Sequence, residues 1–150
     1  QQAPSDRVLA QSESGFNPSA VRGMVSRGDA AAARGDLASA RTEYDKARKV
    51  SKQLLSFYRD LSGAFRGLDA RIPREMDQKG REALGLLAES DLRLAALFRR
   101  QNQPEVAVPV LVEVEKLMTP SKPQGQKAYQ SLVELGFVET EFKGASRPGS

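Results

Sequence analysis

Chemistry in this chain would have to come from carboxylates, arginines and lysines, because the sequence contains no histidine and no cysteine. That removes the usual metal ligands, the thiol nucleophile and the commonest general base at neutral pH. Carboxylate catalysis would need two acids in one cleft. Glu75 and Glu82 are the nearest candidates, about two helical turns apart, a spacing common on any charged helix. No residue set reaches a catalytic site, so the chain reads as a non-enzyme with no cofactor and no metal. A denser constellation is Phe65, Arg66, Leu68, Arg71, Ile72, Arg74 and Met76, apolar and basic side chains crowded around one turn. Exposed, such a patch marks a contact site. Buried, the same apolar groups would simply staple two helices together.

Composition sets the frame that must position these residues. A chain of 150 residues, 39% hydrophobic and with mean hydropathy −0.49, suits one mostly helical domain with a thin apolar stripe on each helix. The net charge of +4 is uneven: residues 1–102 hold 18 Lys and Arg against 13 Asp and Glu, and residues 103–150 hold 5 against 6. Basic and acidic positions interleave, as on solvated helix faces, whereas nucleic-acid binders gather their cations into a stripe. No run of apolar residues is long enough to span a membrane. The start at Gln1-Gln2-Ala3-Pro4-Ser5, without an initiator Met, fits a mature protein after removal of a secretory signal, and leans towards an extracytoplasmic location.

Residues 1–16 are Ser/Gln-rich and aperiodic, and are expected to form a flexible tail. Asn17-Pro18 then starts a helix, with Asn as cap and Pro in the first turn, running to about Arg34. Gly35 ends it and Asp36 caps the next. From Leu37 to Leu68 the apolar residues step by three and four with no strong breaker. Asp69 to Pro73 is the first convincing stop, so a third helix is expected from about Arg74 to Gln101, with Met76, Ala83, Leu84, Leu87, Leu94 and Phe98 inward. After Pro104 two periods compete. Val106, Val108, Val110, Val112 and Val114 alternate as in a strand, whereas Ala107, Leu111, Val114 and Met118 form a helical stripe. A lone strand would lack a partner, so a helix, kinked at Pro109, is the expectation. A last helix is expected from Gln124 to Leu135, with Gly136 as its stop. Residues 137–150 are expected to be extended or disordered, leaving 17–136 as a single domain.

The stretch from Gly28 to Val50 resembles a tetratricopeptide repeat, a helix-turn-helix unit of 34 residues. Gly28 and Ala31 stand at its small first-helix positions, Gly35 in its turn, and Ala40, Tyr44 and Ala47 on its second helix. Arg27 replaces the family's Leu, and Lys52 its closing Pro. A second copy fits Asp91 to Pro120: Leu94, Ala95 and Phe98 on the first helix, Asn102 in the turn, Ala107, Leu111 and Val114 on the second. Between the copies, Tyr58, Leu61, Ser62 and Phe65 suit another first helix, but Arg74, Gln78 and Arg81 occupy the matching core positions. Two architectures follow: a regular stack of three repeats, or two repeats with residues 51–87 projecting as a helical hairpin. The absence of a breaker at Val50–Lys52 and at Leu86–Ala88 favours the second.

The resemblance implies an all-α scaffold of about five to seven helices, binding another protein or peptide in a groove lined by first helices. Arg22, Ser26, Arg93 and Arg100 would face that groove and suit an acidic segment or a carboxylate terminus. The expected role is therefore an accessory or assembly factor of a larger complex. The Ala/Arg/Gln-rich texture resembles that of exported cyanobacterial proteins, which implies a periplasmic or thylakoid-lumen setting and photosynthetic complexes. The alternative is a helical protein that binds an anionic surface, nucleic acid or lipid headgroups, with strongly salt-dependent affinity. Stacking aromatics are scarce near the basic positions, which argues against nucleic acid.

Overall fold

The structure, a computed structural model, describes residues 13–143. Among them are five helices and no strand: α1 (Pro18–Ala33), α2 (Leu37–Phe65), α3 (Arg71–Arg100), α4 (Pro104–Met118) and α5 (Pro123–Glu134). The protein is all-α. The chain divides into two compact units, with the boundary between Leu87 and Ala88, inside α3.

In the first unit, local signals set the helix ends. The Asn17 side chain accepts from the Ala20 amide at 2.8 Å and Pro18 takes the first turn, where its missing N–H costs nothing. Gly35 turns with φ +82°, and the Asp36 carboxylate caps α2 by accepting from the Ser39 amide at 3.1 Å. α1 buries Val21, Met24, Val25, Gly28 and Ala31, while α2 buries Ala40, Tyr44 and Ala47. Gly28 lets the helices pack tightly: a Cβ there would lie 2.5 Å from Tyr44 Cε1. The Tyr44 ring therefore fills the space a larger residue would need, and its hydroxyl donates to Asp29 Oδ1 at 2.6 Å. Farther along, the buried Ser62 hydroxyl ties α2 to α3 by donating to Asp77 Oδ1 at 2.6 Å.

The second unit contains the end of α3 with Leu94, Ala95, Leu97 and Phe98 buried, then α4 and α5. Asn102 makes the turn with φ +60°, a conformation that Asn tolerates better than most residues. α4 buries Ala107, Leu111 and Val114, and α5 buries Gly125, Ala128 and Leu132. Gly125 sits against the backbone of the preceding turn, since a Cβ there would fall 1.9 Å from the Thr119 carbonyl oxygen. Gly136, φ +82°, ends α5. The segment that follows lacks regular structure and is held at Thr140, whose carbonyl accepts from the Tyr129 hydroxyl.

Two expectations are corrected. α3 begins at Arg71, not Arg74, because the Asp69 carboxylate accepts from the Arg71 amide at 3.0 Å and starts the helix early, leaving Pro73 in the first turn. The second helix, expected to reach Leu68, ends at Phe65, where Gly67 turns the chain with φ +85° and leaves Leu68 78% exposed. The helix expected after Pro104 is present: 104–118 is one helix with Pro109 inside it, and the alternating valines form no strand. Both α2 and α3 run unbroken through 50–52 and 86–88. Of the tails expected over 1–16 and 137–150, residues 1–12 and 144–150 lie outside the described residues.

Candidate functional site

In the second unit, α3 and α5 present polar faces to a groove of about 360 Å³. Both are amphipathic: α5 turns Ala128 and Leu132 inward and leaves Lys127, Gln130, Ser131 and Glu134 along the opposite stripe. α3 contributes Leu92, Arg93, Ala95, Ala96 and Arg99, and α4 adds Leu111 at the floor. The floor is thus apolar and the rim basic, with Arg93, Arg99 and Lys127 against the single acid Glu134.

Two of these cations are steadied by neighbours. Arg93 reaches Glu89 at 3.1 Å and Arg99 donates to Glu134 at 2.9 Å. The Arg99 guanidinium, helped by the Gln130 amide, holds the Glu134 carboxyl below its ordinary range. These pairs are 35–46% exposed and so orient the side chains more than they stabilise the fold. Lys127 has no hydrogen bond or ion pair among the described residues. A peptide lying on the apolar floor would meet this ammonium and the outer edges of two arginines. Arg93 was legible as a candidate. Arg99, Lys127 and Gln130 were missed, although the spacing 127, 130, 131, 134 is a readable polar stripe.

The other expected site residues are distributed between the units. Arg22 and Ser26 are exposed on α1 in the first unit, where Arg22 pairs with Glu82. Arg100 is exposed at the end of α3 in the second unit and does not line its groove. At the α2–α3 turn the apolar set splits. Met76 is 7% exposed and belongs to the core, Phe65 and Ile72 are half-buried, and Leu68 is exposed. Arg66 donates to the Ser62 hydroxyl at 3.4 Å, Arg71 grips Asp69 with contacts of 3.0 and 2.7 Å, and Arg74 is exposed. The turn is mostly a staple, with Leu68 as its one exposed large apolar residue.

The carboxylates weighed for catalysis are each engaged by a cation, Glu75 by Lys79 at 3.0 Å and Glu82 by Arg22. Among the described residues no cluster of acids could hold a metal ion, and no helix is long and apolar enough to cross a membrane. Compared with protein-family models, with curated proteins and with solved structures, the chain matches none.

Proposed function

We propose that this chain is a non-enzymatic protein–protein interaction scaffold of the tetratricopeptide-like kind, serving as an accessory or assembly factor of a larger complex. The observation that carries the reading is the second unit's groove, which pairs an apolar floor with three cations and one acid at the rim. An extended or helical segment with acidic residues beside apolar ones complements both features. The groove's size is within the ordinary range of about 300–1,000 Å³ for ligand sites. Its open polar rim suits a peptide more than an enclosed small molecule.

The test is affinity capture from the native source, quantified by mass spectrometry, with the intact chain beside the double variant Arg93→Glu, Lys127→Glu. A partner enriched by the intact chain and lost with the variant supports the groove. Identical partner sets with both would remove it. Nucleic acid or lipid retained in place of a protein, and released by moderate salt, would favour an anionic-surface role.

A further inference from the structure

Residues seven apart share a helix face, because seven residues make almost two turns. α2 carries Arg59 and Arg66 at that spacing, and α3 carries Arg74 and Arg81. Other arginines of the first unit are matched with acids: Arg22 holds Glu82, Arg27 holds Glu43 at 3.3 Å, and Arg71 holds Asp69 at 2.7 Å. The side chains of Arg59, Arg74 and Arg81 have no hydrogen bond or ion pair among the described residues. Arg66 reaches only the Ser62 hydroxyl, at 3.4 Å.

Arg59 and Arg81 line one groove of about 240 Å³ between α2 and α3. Its floor is apolar, made by the buried Leu55 and Met76 and the half-buried Leu84. Asp77 is the one acid that lines it, and that carboxylate is engaged from inside the protein, accepting from the buried Ser62 hydroxyl at 2.6 Å. Asp60, next to Arg59 in the chain, does not line the groove, and Glu75 and Glu82 are held by Lys79 and Arg22. Two guanidinium groups therefore meet one aspartate here, with Arg66 and Arg74 adding charge two turns along the same faces. Unpaired like charges so gathered attract an anion, and a carboxylate joining them breaks no existing ion pair.

The guanidinium fork matches a carboxylate, and the apolar floor suits an apolar side chain beside it. No aromatic ring lines the groove, so a nucleobase would find nothing to stack on. We infer that this first-unit groove binds a partner peptide, with Arg59 and Arg81 taking a Glu or Asp carboxylate and Leu55, Met76 and Leu84 receiving a neighbouring apolar side chain. The inference does not rest on the second unit's groove, and either site can fail without the other.

The experiment uses the full chain labelled with ¹⁵N and follows, by NMR, the Gly80 amide and the Nε–H signals of Arg59 and Arg81. The probes are acetyl-Glu-Leu-amide and acetyl-Gln-Leu-amide. The glutamate peptide is expected to shift all three signals and to bind about tenfold more tightly than the glutamine peptide, the scale of one charge-assisted contact. The Arg59→Gln, Arg81→Gln variant should lose about tenfold or more in affinity while melting near the parent temperature. The Arg93→Glu, Lys127→Glu variant should bind the glutamate peptide as the parent does. Equal binding of the two peptides, or unmoved signals, would overturn the site even if no variant folds. So would parent-like affinity in the folded Arg59→Gln, Arg81→Gln variant. Inorganic phosphate, oligothymidine or phosphatidylserine vesicles moving the same signals at lower concentration than the glutamate peptide would also overturn it, by showing a general anion site.

Discussion

Gly28 and Gly125 are both glycines for steric reasons, yet they press against different things. Beneath Gly28 lies the edge of the Tyr44 ring, a side chain with some freedom to shift. Beneath Gly125 lies the carbonyl of Thr119, part of a backbone turn whose φ of +66° is already unusual for a non-glycine residue. Gly28→Ala should therefore cost about 1–3 kcal/mol, the usual price of overpacking, and lower the melting temperature by several degrees. Gly125→Ala should cost more, because backbone yields less than a ring. Thermal melts of the two variants check the order, and an unaffected Gly125→Ala would contradict the contact. Gly28 could be read from the sequence, because a small residue before a turn followed by an aromatic on the next helix is a recognisable pattern. Gly125 could not, since its constraint comes from where the α4–α5 turn places a carbonyl. At the same α4–α5 packing, burial pushes the Glu115 carboxyl above its ordinary pKa, an effect the Tyr129 backbone N–H partly offsets. A carboxyl whose folded pKa is raised binds its proton more tightly when folded, so its contribution to stability is present below the unfolded-state pKa and lost as pH rises through the folded one. Glu115→Gln should thus raise the melting temperature at pH 7 and leave it unchanged in acid below the ordinary carboxylate range. A gain that is the same at both pH values would show that charge burial is not the cause.

At the scale of the element, α4 shows what local pattern can and cannot decide. Its five alternating valines favour a strand, and Pro109 removes one backbone hydrogen bond from a helix. The helix wins because Ala107, Leu111 and Val114 fall on one face and are buried, a gain a lone strand could not match. Val106 and Val112 remain exposed as the residue of that conflict. Pro109→Ala should restore the missing N–H at an exposed position and stabilise the protein. The gain should be up to about 3 kcal/mol, the difference between the two residues in a helix interior. Unchanged or lowered stability by chemical denaturation would mean that α4 has already adjusted to the proline. The other helix limits were legible where a side chain caps them, at Asn17 and Asp36, or where a left-handed glycine ends them, at Gly35 and Gly136. The start of α3 was not. There Asp69 reaches two residues ahead to the Arg71 amide, and that hydrogen bond outweighed the reluctance of Ile72 to be helical before Pro73.

Across the whole molecule, many of the charged residues are matched in ion pairs on solvated faces, and sequence alone does not tell which cations are committed. Arg22, Arg71 and Arg93 each have a partner acid, whereas Lys127 has none among the described residues. On the proposed reading, recognition would depend less on net charge than on which cations sit beside apolar floor. Arg93 and Lys127 do so in the second unit. The most direct measurement is the calorimetric Kd of the captured partner for the intact chain and for the Arg93→Glu, Lys127→Glu variant, with circular dichroism confirming an unchanged fold. Losing two charge-assisted contacts should weaken binding about a hundredfold or more, at about 1.5–3 kcal/mol each. An unchanged Kd in the folded variant would contradict recognition through this groove.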